Sequence, residues 1–392
     1  MRADPTPPLL AYAFRPFFLL CALYAVLLML GWSLWLSGVV ELPVRWPAIY
    51  WHSHEMLFGF VTAAIAGFLL TAMTNWTGAP PLKGAGLLAL VLLWLAGRIV
   101  MGLSAWINPL WVAAVDLAFL PLLATYVARI LLGHGNRRNM IMVVILALLW
   151  VANLLMHLGQ LQPSVWLVRQ GEWLALNLIT LMMVVIAGRI TPAFTANWIR
   201  LQGGNPEQVI RSAKTDLWAI LSVALLIPLT LGSAPEPIVA LTALLAGLIN
   251  AYRLYQWRGW KVCREPLLWI LHLGYLWIVL ALILRAATPL GLTDSLWQHL
   301  LGVGAMGTLI LGIMTRVAMG HTGRPLKLVR FGLLIYCGIL LAAVLRLLAA
   351  ASLIHYTAGV LASAACWIAA FSLFLLAYWP ILSRPRADGR PG

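Results

Sequence analysis

Eight histidines are the residues best equipped for chemistry: His52, His54, His134, His157, His272, His299, His321 and His355. A neutral imidazole is a good ligand for iron and copper. His52 and His54 are two residues apart, so on a regular helix their side chains point about 200° away from each other. They serve one metal only where His52 sits in a non-helical lead-in; otherwise they serve different sites, or His52 is a hydrogen-bonding partner. Glu55, next in the chain, reads equally as a partner or proton carrier and as a charge at headgroup level. His299 is followed by Gly302, Gly304 and Gly307. Those glycines can clear room for a flat macrocycle such as haem, or simply let two helices approach closely. His134 sits in the basic loop Gly133-His134-Gly135-Asn136-Arg137-Arg138 and reads as solvated. His157, after Met156, reads equally as a ligand or an interfacial residue, and His355, next to Tyr356, as interfacial. The four cysteines, Cys21, Cys263, Cys337 and Cys366, form no CxxC pair, so neither a zinc ribbon nor covalent haem attachment is expected.

The elements that position these histidines follow from composition. The 392 residues are 63% hydrophobic and only 9% charged, with a mean hydropathy of +0.94. A soluble domain carries about a quarter charged residues, so a water-soluble fold is excluded. Disorder is excluded for the same reason. The net charge of +15 points to cytoplasmic loops and lipid headgroups, not to nucleic acid. Twelve apolar runs are long enough to cross a bilayer, near 14–40, 52–74, 84–103, 107–132, 138–160, 172–190, 213–232, 237–257, 265–288, 294–319, 327–352 and 355–380. The expected fold is therefore an all-α polytopic membrane protein, one transmembrane domain over 1–392 with twelve helices. No small-residue cleavage site follows the first run, so that span is expected to stay as an anchor.

Charge sets the direction. Assigned to the nearest loop, 21 of the 26 Lys and Arg residues fall on the side of the termini. Arg45, Arg98, Arg169, Arg285 and Arg346 fall on the other. The positive-inside rule then places both termini in the cytoplasm. In this frame His52, His54, His157, His299 and His355 lie toward the outer face, His134 and His321 toward the cytoplasm, and His272 inside the ninth span. Arg98 and Asp116, in the antiparallel third and fourth spans, read as a structural ion pair.

The second, sixth and tenth spans end alike: Ile65-Ala66-Gly67 with Thr71, Ile186-Ala187-Gly188 with Thr191, and Ile310-Leu311-Gly312 with Thr315. The glycines are 121 and 124 residues apart, four spans each time. This echo fits a pseudo-threefold 4+4+4 repeat over 14–132, 138–257 and 265–380; recurrent small residues at helix contacts would look the same. His54 and His299 each lie 13 residues before the shared glycine, while Ala175 takes that place in the second unit. The repeat reading makes His54 and His299 a pair of cofactor ligands on opposite faces of one haem, with His52 supporting it or binding copper nearby. His272 and His321, both in the inner half, would form a second metal site. Met306, Met314 and Met319 offer soft copper ligands or packing.

Several strings together resemble one family. They are Phe14-Arg15-Pro16-Phe17-Phe18, Trp51-His52-Ser53-His54-Glu55-Met56-Leu57-Phe58-Gly59, Asn75-Trp76-Thr77-Gly78, Gly188-Arg189-Ile190-Thr191-Pro192-Ala193-Phe194-Thr195, and Met314-Thr315-Arg316 with Gly320-His321-Thr322-Gly323-Arg324. The pattern resembles the NnrS family of bacterial inner-membrane proteins of the nitric-oxide response. Thr74 stands where the family has proline before Asn-Trp. The resemblance implies twelve spans, non-covalent b-type haem, copper, and a role in relieving nitrosative stress by redox chemistry on nitric oxide. It carries metal-ligand status onto His52, His54, His272, His299 and His321. The expected partners are nitric oxide, membrane lipids and an unassigned electron donor. Twelve helices with a threefold echo also resemble haem–copper oxidase architecture, by analogy alone, since no His-Pro-Glu-Val-Tyr string is present. The competing classes are a membrane transporter and a non-catalytic nitric-oxide or metal sensor.

Overall fold

The computed structural model describes residues 6–390, and among these every regular element is helical. Among the described residues twelve helices are long and apolar enough to cross a membrane: α1 (Phe14–Leu36), α2 (Ala48–Thr77), α3 (Gly84–Gly102), α4 (Pro109–Gly133), α5 (Arg137–Leu161), α6 (Val165–Leu201), α7 (Pro206–Leu231), α8 (Glu236–Gln256), α9 (Pro266–Ala286), α10 (Asp294–Gly320), α11 (Gly332–Ala350) and α12 (Tyr356–Ser383). The chain is thus an all-helical membrane protein with the expected number of spans. Their ends carry ordinary punctuation. Gly78 closes α2 in the left-handed conformation at φ 72°, which glycine adopts without strain. Asn108 caps α4 by accepting from the Leu110 N–H, with Pro109 at the first helical position, where its missing donor costs nothing.

α6 departs from the sequence reading. It runs for 37 residues, about 55 Å at 1.5 Å per residue, whereas an apolar run covers only 172–190. The helix carries Pro192 in its interior. Proline removes one intrahelical donor, yet the flanking turns continue to Leu201.

Two helices change pitch within the membrane. α2 is α-helical over Ala48–His54, π-helical over Glu55–Phe60 and α-helical again over Val61–Thr77. α10 repeats the pattern, with Asp294–His299, then π-helical Leu300–Gly307, then Thr308–Gly320. In both, the wide turns begin directly after a histidine. Such insertions are uncommon and recur at functional sites.

The chain divides into two compact units. The first comprises Met1–Ala175, Arg316–Leu326 and Phe371–Gly392; the second comprises Leu176–Thr315 and Lys327–Ala370. In the first, α1 packs on α2, where a Cβ on Gly67 would lie 2.7 Å from the Phe18 ring. Buried Arg15 fastens the start of α1 by donating to the carbonyls of Leu382 and Arg384 at 2.8 and 2.7 Å. In the second, α9 packs against α8 and α10, and Gly312 lies against Leu271 and Ile270. Gly188 lies against the Arg253 guanidinium. All three glycines of the sequence echo are therefore close-packing positions.

Candidate metal centre

Four helices of the first unit bring their few polar groups to one buried point. α2 supplies His54 and Glu55, α3 Arg98, α4 Asp116, and α5 both Asn153 and His157, none more than 8% exposed. Asn153 and His157 are four residues apart and so share one face of α5. His157 Nε2 lies 3.0 Å from Asp116 Oδ2, and His54 Nε2 lies 3.2 Å from the same oxygen. Asn153 bridges them: its Nδ2 donates to Asp116 Oδ2 at 2.8 Å, while its Oδ1 faces His54 Nε2 at 2.8 Å. One nitrogen from each histidine and one Asp116 oxygen all lie within 4.8 Å of one another. Two imidazoles and a carboxylate are a donor set that suits first-row transition metals.

The surrounding groups hold this set in place. His54 Nδ1 faces Glu55 Oε1 at 2.7 Å, the kind of outer contact that orients a ligating imidazole. Arg98 joins both acids: Nη1 donates to Glu55 at 2.6 and 2.7 Å, and Nη2 donates to Asp116 Oδ1. The Tyr24 hydroxyl of α1 donates to Glu55 Oε2. Arg98 can pass because residue 59 is glycine; a Cβ there would sit 2.9 Å from Nη1 and 2.6 Å from the Tyr24 ring. Trp46 closes the outside, with its ring edge-on to His54 and His157 at 4.9 and 5.0 Å. A cavity of about 290 Å³, bordered by Arg45, Trp46, Ser104, Gln160 and His157, leads to the cluster.

The charges in this cluster do not cancel. Glu55 and Asp116 contribute two negative charges and Arg98 one positive. Both nitrogens of His54 face acceptors, so the bonds as drawn need two N–H donors and a cationic ring. A metal ion between His54 Nε2, His157 and Asp116 would take the place of that proton, a monovalent ion with the same charge and a divalent ion with one more. The residues therefore fit an ion. They do not leave space for a macrocycle at His54, because Asn153 and Asp116 already flank its Nε2.

The ion pair expected between Arg98 and Asp116 is present, as one edge of a larger cluster. His157 joins Asp116 and is buried, so it is not an interfacial residue. His52 stands apart and stacks on Trp32 at 4.2 Å, as the two-residue spacing from His54 requires. Ser53 between them donates to Glu172. His134 is exposed and bonds the Ile130 carbonyl. His355 is also exposed and accepts from the Ala358 N–H.

In the second unit His299 Nδ1 lies 2.8 Å from the Ser295 carbonyl. The glycines after it do not clear a slot: Gly304 packs on Trp277, Gly307 on Trp367 and Ile339, and only Gly302 is open. Room exists instead beside His272. The Thr195 hydroxyl donates to the Thr191 carbonyl at 2.9 Å, so it accepts from His272 Nε2 at 2.9 Å. That assignment leaves Nδ1 as a bare lone pair, buried without a partner. A Cβ on Gly259 would come within 2.7 Å of it. Gly259 and His272 border an apolar cavity of about 590 Å³ walled by Tyr255, Trp260, Trp269 and Leu276. His321 belongs to the first unit and His272 to the second. The His321 ring lies 5.7 Å from Phe14, just past the end of α10. Burial and the nearby Arg386 guanidinium hold its pKa below the usual histidine value.

The chain matches the family model described as NnrS protein over residues 8–386. No curated protein matches it.

Proposed function

The chain belongs to the NnrS family, membrane proteins associated with the response to nitric oxide, and from that premise we propose that it is a haem- and copper-binding protein that relieves nitrosative stress by redox chemistry on nitric oxide. The observation that carries this reading is the buried His54–Asp116–His157 cluster. His54, His157 and Asp116 would hold the copper, with Glu55 and Asn153 orienting them. Imidazole nitrogen suits copper, which would supply a redox-active Lewis acid for a small diatomic. The approach past Trp46 and Gln160 is a cavity of about 290 Å³.

Haem fits beside His272. Its bare Nδ1, the glycine opposite and the aromatic-walled cavity suit a porphyrin that His272 would hold. Haem there would supply an iron that binds nitric oxide or relays electrons. His272 would hold it, and Thr195 would fix the tautomer by accepting from Nε2. We place the protein in the bacterial inner membrane with both termini cytoplasmic, on the charge asymmetry of its loops.

Metal analysis with a reduced-minus-oxidised spectrum tests the whole reading. Purified protein should contain copper and show a Soret band. His157→Ala should lose the copper and keep the band, and His272→Ala the reverse. Protein carrying neither metal after expression with both supplied would sink the proposal.

A further inference from the structure

His299 has its own arginine. Ser295 offers His299 Nδ1 a carbonyl at 2.8 Å, and a carbonyl only accepts, so Nδ1 carries the proton. Arg346 Nη2 lies against the same ring, 3.0 Å from Nε2 and 3.2 Å from Nδ1. Arg346 is 7% exposed. Its Nη2 also reaches Ser295 Oγ at 3.4 Å, and its guanidinium carbon stands 5.6 Å from the Tyr356 ring centroid. Nη1 is buried with no hydrogen-bond partner. Among the described residues no carboxylate pairs with this guanidinium.

The first unit shows how the same arrangement is completed. There His54 also precedes a π-helical turn, and Arg98, which shares Glu55 and Asp116 with it, is held by both acids. A guanidinium closed off from water needs a counter-charge to offset its desolvation. In the first unit the chain provides two; in the second it provides none. The planar fork of arginine matches a planar two-oxygen anion through parallel N–H bonds. We infer that Arg346, with Ser295 and His299 beside it, binds a planar oxoanion of the carboxylate or nitrite type. The anion can come from solution, or it can be a carboxylate carried by a bound haem. The site stands whether or not His272 holds that haem.

The test uses the full chain purified in a neutral detergent, with formate and nitrite as probes and chloride at equal ionic strength as control. A site open to solution gives a saturable rise in melting temperature with both probes and none with chloride. A site filled by a haem carboxylate gives that rise only after haem is extracted, and Arg346→Gln then lowers haem retention. Either result supports the inference when Arg346→Gln abolishes the response. Arg346→Lys keeps the charge but loses the fork, and should weaken apparent anion affinity roughly tenfold; it carries the test if the Gln variant does not fold. Arg138→Gln, at an exposed cation elsewhere, should respond like the wild type. No response from the wild type before and after haem extraction overturns the inference. So does a full response from both Arg346 variants.

Discussion

Asp116 Oδ2 accepts from His157 Nε2 at 3.0 Å and stands 3.2 Å from His54 Nε2, while Asp116 Oδ1 accepts from Arg98. One carboxylate thus serves two imidazoles with one oxygen and a guanidinium with the other. Removing its charge should disturb both functions at once.

Asp116→Asn keeps the shape and deletes the charge. Breaking a buried ion pair by neutralising one partner costs about 3–5 kcal/mol. The variant should melt well below the wild type and lose the metal held by His54 and His157. Thermal unfolding and metal-to-protein ratio measure the two effects. Unchanged metal stoichiometry in folded Asp116→Asn would mean that this carboxylate is structural only.

Gly59→Ala tests the passage of Arg98. The added methyl would meet the Tyr24 ring at 2.6 Å and Arg98 Nη1 at 2.9 Å. Overpacking of this kind costs about 1–3 kcal/mol. Gly302→Ala, with nothing within 4 Å of the new methyl, is the matched control and should stay within about 0.5 kcal/mol of the wild type. Equal melting temperatures for the two variants would contradict the packing described around Glu55.

Topology is open to a reporter assay. With both termini in the cytoplasm, a phosphatase active only in the periplasm should be silent when fused after Arg390. It should be active when fused in the segment between α3 and α4. The opposite pattern would invert the orientation and place the Trp46 cavity on the cytoplasmic side.

The spans were legible because α-helices in lipid need long apolar runs, and the loops here carry Pro, Gly and charge. α6 was read short because Arg169 and Pro192 lie outside the apolar run 172–190; Glu172 at its edge is tolerated because Ser53 bonds it. The cluster was half legible. Arg98 and Asp116 pair as antiparallel neighbours must, and His54 stood out as an embedded histidine. Asn153 and Tyr24 passed unremarked, since an amide or a phenol in an apolar run carries no charge signal. The spacing of Asn153 and His157, one helical turn apart, was the cue that could have found them. Neither π-helical turn has a sequence signature, and Gly304 and Gly307 could not be assigned to space or to packing until Trp277 and Trp367 were seen against them.

The Arg98–Asp116 bond also bears on how the protein is made. A lone Arg or Asp costs about 2.5–3.5 kcal/mol at the centre of a helix entering the bilayer, and less toward its end, where Arg98 and Asp116 lie. α3 carries one and α4 the other, and only a short connection separates Gly102 from Pro109. Leaving the translocon as a hairpin lets each charge cancel the penalty of its partner before either meets lipid. Nascent chains halted after Gly102 should therefore insert α3 less completely than chains halted after Gly133, which glycosylation mapping can count.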